Sequence, residues 1–468
     1  MSQFAVTPLP QRAPSVRRRR HAVSRALAVM AAGSLAASVA QAESLLELYD
    51  AAKMYDATYL AARAQAESAY SKADQAKALV RPSVNLQAGI TRSDFDSSVS
   101  TQATPLGNTS YNSNSTTKRA ALQARQALYN PDAFARLDQA EQSRLVADAE
   151  LQVAAQDLAV RVTQAYFDVL GAQDVLTTAQ ANKAALAEQL AAAKRSFEVG
   201  NSTITDTREA QARHDLATAQ ELAAANELRV KRITLDQLVG RANVIPNPLR
   251  TPVTLDSLAP GDMEEWVNQA QASPNIRKAQ AGLEAAKLEI SRARAGHLPT
   301  LDAVASVQRT DIDSSNQLAK TSGGAGTTAA IGLELNMSLY AGHSVQNRIA
   351  EVLKLQEKAE HDLDNAKRQV TLGTRQAYLG VQSGLAQVKA YEAAESSAKL
   401  ALEATQLGYR VGVRINKDVL DAQTQLANTQ KDLFKSRYDV IVGSVKLRQA
   451  SGALTQDDLA ELNKLLAN

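Results

Sequence analysis

Two long stretches of the chain carry apolar residues at helical spacing and contain no proline. None lies between Pro131 and Pro246, and none follows Pro299. Each stretch has one clear break, at Val199-Gly200-Asn201-Ser202 and at Val411-Gly412-Val413-Arg414. The pattern predicts helices over 132–198 and 343–409, followed by helices running to about 240 and 452. At ~1.5 Å per residue the first of each pair is roughly 100 Å long. Helices of that length need coiled-coil partners, because propensity alone does not keep them straight. Residues 241–261 hold Pro246, Pro248, Pro252 and Pro260 and read as a linker.

Ahead of each long helix the period changes from helical to two. Val84, Leu86, Ala88 and Ile90 alternate with polar or small residues, as do Ala120, Leu122, Ala124 and, less cleanly, Leu128. Leu301, Ala303, Ala305 and Val307 repeat the pattern, and Ile331, Leu333, Leu335, Met337 and Leu339 show it most clearly. These are four expected strands within about 83–129 and 300–340. A length of about ten residues each crosses a bilayer at a tilt. The joining segments, Ser93 to Thr117 and Thr310 to Thr328, are long and polar, as on the outer face of a membrane barrel. Four strands cannot close such a barrel, for which about eight is the practical minimum. Open edges are not tolerated in lipid, so the strands must be pooled among subunits. Two ordinary hairpins in a soluble protein are the alternative. The aromatic girdles of a barrel are thin here: Phe95 and Tyr111 near one end, Tyr129 and Tyr340 near the other.

The two halves are copies. At a constant offset of 212 residues, Gln164-Ala165-Tyr166 matches Gln376-Ala377-Tyr378, Val199-Gly200 matches Val411-Gly412, and Asp206 matches Asp418. Ala210-Gln211 matches Ala422-Gln423, and Gly240 matches Gly452. Upstream, Ala62, Ala69 and Ala76 match Ala279, Ala286 and Ala293 at an offset of 217, so the insertions fall among strands and loops. The expected organisation is a first helix–strand–strand–helix repeat over 43–250 and a second over 251–468.

Residues 1–42 read as a secretory signal peptide. Arg17 to Arg20 and Arg25 precede a small-residue apolar run from Ala26 to Ala40, and Ala40-Gln41-Ala42 offers a cleavage site. The run is shorter than the roughly 20 residues of a spanning helix. The segment holds 6 of the 52 basic residues and no acidic ones, leaving 46 basic against 49 acidic. The remaining chain has a formal net charge of −3, which removes the main support for a nucleic-acid role. Aromatics are 4% of the chain, with the single Trp266, so apolar content sits in Ala, Leu and Val, which suits extended helix packing. Absence of cysteine excludes thiol catalysis and thiolate metal sites. The histidines His21, His214, His297, His343 and His361 show no paired metal spacing. No enzyme, metal site or cofactor is expected.

With these features the chain resembles the TolC family of outer-membrane efflux and secretion channels. The similarity covers the chain after the signal and is densest at Gly296-His297-Leu298-Pro299-Thr300-Leu301-Asp302, Ala165-Tyr166-Phe167 and Phe197-Glu198-Val199-Gly200. It is equally dense at Gly408-Tyr409-Arg410-Val411-Gly412-Val413-Arg414 and Asp418-Val419-Leu420-Asp421-Ala422. The resemblance implies a mainly α fold with a membrane β-barrel. Antiparallel coiled coils would form an α-barrel in the periplasm, and four strands per subunit would pool into a trimeric 12-stranded barrel. It implies a homotrimer in outer-membrane lipid, working with a periplasmic adaptor and an inner-membrane ABC or proton-driven transporter. The runner-up is a periplasmic coiled-coil adaptor of such a system.

Asp418 and Asp421 are spaced i,i+3 and share a helix face, giving six carboxylates around the axis of a trimer. Such a ring at a constriction favours cations. The resemblance implies that Tyr409 and Arg414 link to Thr205 and Asp206 to hold the entrance closed. It also implies that the adaptor docks on the helical tips at Val199, Gly200, Val411 and Gly412. A simpler reading stands beside this one: Asp206 and Asp418 lie in first helical turns, where carboxylates favour the helix dipole. On that reading Thr203 and Asn416 serve as N-caps. Lys417, beside Asp418, would weaken the field of the ring.

Overall fold

The computed structural model describes residues 43–99, 109–250, 259–316 and 324–467. The signal segment 1–42 and parts of the expected loops and linker lie outside them. Helices α1 (Leu45–Tyr55) and α2 (Ala57–Lys77) lead into strands β1 (Ser83–Val99) and β2 (Thr109–Tyr129). The long helix α3 (Pro131–Glu198) then runs to the first break, and α4 (Ile204–Val239) returns. The same order follows with α5 (Met263–Ala270), α6 (Pro274–Ala295), β3 (Thr300–Asn316), β4 (Gly324–Asn336), α7 (Ser344–Arg410) and α8 (Asn416–Ala450). A short α9 (Gln456–Asn463) ends the described chain.

The long helices begin and end where their sequence dictates. Pro131 occupies the first turn of α3, where its missing N–H costs nothing, and the Asn130 side chain accepts from the Ala133 N–H at 3.0 Å. Both break glycines adopt the left-handed conformation, Gly200 at φ 78° and Gly412 at φ 81°, which a residue with a Cβ avoids. Along each coil the helices pack through small residues. Ala210, Ala217 and Ala224 of α4 recur at heptad spacing and are buried against α3.

The strands pair antiparallel in the order β1-β2-β3-β4, forming one four-stranded sheet. Register places Leu86 opposite Leu122, Leu122 opposite Val307, and Ala305 opposite Ile331. One face of the sheet is therefore apolar across all four strands. Its side chains are solvent-exposed within a single chain, Leu86 at 73% and Ile331 at 90%. The opposite face carries Asn85, Gln87, Gln123, Gln308 and the ion pair of Arg125 with Asp302 at 2.6 Å. Such alternation is that of a barrel with lipid outside and a polar lumen.

The strands are longer than the expected ten residues, at 17, 21, 17 and 13. The extra length is the polar ends of the expected loops. Residues such as Thr116 and Thr117 continue the ladder past the apolar band, paired to Arg92 and Thr91. β-branched threonine suits an extended strand as well as a turn, so polarity alone misplaces the boundary. β4 stops at Asn336, short of Met337 and Leu339. For Tyr111 only the backbone within β2 is described.

The main core gathers α1, α9 and the middle of the coils. Leu45, Leu48, Leu158, Tyr166, Phe167, Leu235, Val445 and Leu459 meet there, buried. The duplicated tyrosines do the same work in each copy. Tyr166 donates its hydroxyl to the Asn247 carbonyl at 3.0 Å, and Tyr378 donates to the Gly261 carbonyl at 2.6 Å. Each thereby ties its long helix to the segment joining the halves. Trp266 packs in the smaller core beside Tyr378, Val381 and Val440.

Candidate functional site

The two helical tips lie at the far ends of the coils and are built differently. At the first, the chain turns through Val199 and Gly200, closed by the Asn201 N–H donating to the Ser196 carbonyl at 2.8 Å. Thr203 then caps α4. Its hydroxyl oxygen accepts from the Asp206 N–H at 3.2 Å, while the Asp206 carboxylate accepts from the Thr203 N–H at 3.0 Å. This reciprocal capping box satisfies two donors at the helix start. It uses only the Oδ2 oxygen of Asp206. Thr205 points to solvent.

The second tip turns through Val411 and Gly412, with the Val413 N–H donating to the Gly408 carbonyl at 2.9 Å. A Cβ on Gly408 would sit 2.8 Å from the Arg414 side chain, so glycine there lets the arginine fold back. The helix start has no side-chain cap. Ile415 holds the cap position and cannot accept a hydrogen bond, which corrects the assignment of Asn416. Asn416 is the first residue of α8; it is buried, and its Nδ2 has no partner among the described residues. Val411, Val413 and Ile415 are exposed by 67%, 77% and 61%, leaving an apolar knob at the tip.

The two aspartates lie just behind this tip. Asp418 is half-buried and pairs with Arg414 at 3.6 Å. Asp421 pairs with Arg213 of α4 at 2.6 Å and lies 3.9 Å from Lys417. The expected links do not form within one chain. Arg414 turns to Asp418, Asp206 is engaged by its own cap, and the Tyr409 hydroxyl has no hydrogen bond among the described residues. Helix packing accounts for this. α4 packs on α3 and α8, and α7 packs on α8, α6 and α5, so the ends that carry Thr205 and Tyr409 lie on opposite flanks.

Arg213 was not singled out from the sequence. Its only sequence signal is its position seven residues after Asp206, between Ala210 and Ala217 on the packed face of α4. Those two alanines, with Leu186, Leu190 and Ala193 of α3, enclose Leu420 of α8, which is fully buried. Asp421 follows directly, so the ion pair flanks an apolar knob that joins the coils near the tips.

Further from the tips, Arg161 of α3 holds both oxygens of Asp56 at 2.9 and 3.0 Å. That bond keeps the Asp56 carboxyl below the ordinary carboxylate range. Asp174 behaves oppositely: burial raises its pKa, even though Tyr438 donates to it at 2.5 Å. Among the described residues no group of three or more acids or histidines is placed to hold a metal. Nor is any described helix long and apolar enough to cross a membrane.

Comparison with known proteins agrees with this geometry. The family described as outer membrane efflux protein matches residues 48–241 and again 266–453, once in each half. This chain belongs to that family. The TolC outer membrane protein of Vibrio cholerae is 33% identical over 93% of this chain and 97% of its own. The alkaline protease secretion protein AprF of Pseudomonas aeruginosa is 31% identical over 72% of this chain and 70% of its own. Among solved structures, VceC of Vibrio cholerae shares the fold at a TM-score of 0.71 with 19% identity, covering 87% of this chain and 96% of that one. The protein is thus an outer-membrane channel subunit of the efflux and type I secretion class, with its helical body extending into the periplasm. Its fold is the expected mainly α architecture of long coils joined to a four-stranded membrane sheet.

Proposed function

We propose that three copies of the chain form a passive exit duct whose periplasmic entrance is closed by the second helical tip. The observation that carries this reading is the four-stranded sheet. Its exposed apolar face belongs in lipid, while β1 and β4 each have an edge unpaired within the chain. Joining β4 of one copy to β1 of the next removes both edges, and three copies make a 12-stranded barrel. The same closure sets α7 of one subunit beside α4 of the next. Tyr409 and Arg414 then reach Thr205 and Asp206 across the subunit boundary, where the free Oδ1 of Asp206 can accept.

At the entrance Asp418 and Asp421 from three subunits surround the axis and govern ion passage. The exposed tips around Val199, Gly200, Val411 and Gly412 dock a periplasmic adaptor. An inner-membrane transporter supplies the energy. The relative named for alkaline protease secretion supports a polypeptide cargo and an ABC transporter as the partner. Deleting the gene is then expected to retain a secreted protein in the cell while leaving drug susceptibility unchanged; the reverse outcome would assign a proton-driven pump instead.

Two experiments test the duct and the gate separately. The mature chain should fractionate with the outer membrane, and native mass measurement in detergent should give three chains per particle. Recovery as a soluble periplasmic monomer would support the adaptor reading. For the gate, Asp418→Ala with Asp421→Ala should reduce cation selectivity and divalent-cation block in planar bilayers. Unchanged selectivity and block would reject the carboxylate ring.

A further inference from the structure

The entrance carries more positive groups than an acidic ring needs. Each chain brings Asp418 and Asp421 to this level, and with them Arg414, Lys417 and Arg213. Arg414 and Lys417 lie on the tip and on α8 itself and move with the aspartates. Arg213 does not. It stands on α4, whose start is fixed by the capping box and whose length is packed against α3. The bond to Asp421, at 2.6 Å, is the shortest ion pair at the tips and, among the described residues, the only one there that joins the two coils.

We propose that Arg213 is a built-in counter-ion that masks Asp421 while the entrance is closed, and that opening unmasks it. The inference rests on the gate reading above and adds a coupling to it. For α8 to move outward from the axis or sideways from α4, Leu420 must leave its pocket between Ala210 and Ala217, and Arg213 must release Asp421. Each carboxylate freed in this way faces the widening aperture without Arg213, its closer partner. Conductance and cation preference therefore rise in one step, because one bond restrains both. A ring of permanently bare carboxylates would show the preference in the closed and open states alike.

Arg213 and Asp421 make opposite predictions for selectivity, which separates this idea from a simple structural role. With purified full-length trimers in planar bilayers, Arg213→Gln removes the latch and leaves the Asp421 carboxylate with only the looser Lys417 contact at 3.9 Å. The open fraction should rise about fivefold, the effect of losing one partly exposed ion pair, and the cation-to-anion permeability ratio should rise with it. Asp421→Asn also removes the latch, so opening should rise similarly, but the permeability ratio should fall. Arg213→Lys should keep both properties near those of the natural channel. Exchanging the charges, Arg213→Asp with Asp421→Arg, should restore the low open fraction and shift the open channel toward anions.

Failure of the exchange to restore closure would overturn the latch. A permeability ratio unmoved by Arg213→Gln would overturn the masking. If Arg213→Gln is silent while the double replacement of Asp418 and Asp421 abolishes cation preference, this inference falls and the gate reading stands. Silence of both sets of variants would sink the two together.

Discussion

The two coils of the chain match each other at a 212-residue offset, yet they are held in place very differently. α3 is buried along much of its length, packed on α2, α4, α6 and α8, with Leu158, Tyr166, Phe167, Leu186 and Leu190 facing inward. α7 is nearly as long but buries few side chains within the chain, while Leu353, Leu372, Leu379, Leu400 and Leu407 face outward. The tips repeat the contrast. The first is closed by a capping box at Thr203 and Asp206, whereas the second has no side-chain cap at Ile415 and a buried Asn416 Nδ2 without a partner among the described residues. On the gate reading proposed above, the first coil is the frame and the second the moving part. The first coil carries the capping box and buried contacts, and the second carries the exposed faces and the uncapped helix start that this reading needs.

Leu420→Ala should break this comparison most severely. Leu420 of α8 is enclosed by the first coil near the tips, and its counterpart at the 212-residue offset is Arg208, which is absent from that cluster. Removing it should cost about 2–5 kcal/mol of attachment, seen as faster amide hydrogen exchange over 416–424 and a raised resting conductance. Exchange in 204–212 should change little. Equal acceleration in both segments would mean that the first tip is no more fixed than the second.

Asp56→Asn acts on the frame instead. Ser273 occupies the equivalent cap in the second copy, and Gly373 stands where the first copy has Arg161, so this ion pair belongs to the first coil alone. Its loss should cost about 1.5–3 kcal/mol at neutral pH. Because Arg161 lowers the folded-state pKa of Asp56, the stabilisation is fully present above the unfolded carboxylate value of about 4. It is lost as pH falls through the lower folded value. Thermal unfolding of the natural and substituted proteins should converge on strong acidification. A gap that persists there would show that the asparagine acts through packing rather than charge.

The smallest effects concern the caps. Thr203→Ala should loosen the first turn of α4 by about 1 kcal/mol. Ile415→Ser should supply the missing cap and tighten the start of α8 by a similar amount. Hydrogen exchange at each tip reads both. If capping Ile415 leaves the second tip as fast as before, its mobility has another origin.

Much of this contrast was beyond the sequence, for identifiable reasons. The long helices, their breaks at Gly200 and Gly412 and the apolar alternation of the strands follow from local rules of proline, glycine and periodicity. The strand ends did not, because threonine- and asparagine-rich segments suit both an exposed ladder and a loop. At the tips, Asp418 and Asp421 were legible as a spaced pair, but their partners depend on which helices pack. Arg213 reaches Asp421 only because Ala210 and Ala217 let α8 approach α4 closely, a fact of tertiary packing that no spacing rule contains. Asn416 misled for a similar reason. Its amide is a common N-cap, yet the turn places Ile415 at that position and carries Asn416 inside.

The distance between subunits at the two tips tests the frame-and-gate account most directly. Spin labels at position 201 or position 413 of the assembled trimer should report inter-subunit distances before and after the cognate adaptor is added. The account expects the 413 distances to lengthen on opening while the 201 distances hold. Equal lengthening at both positions would contradict it, since the first coil would then move with the second.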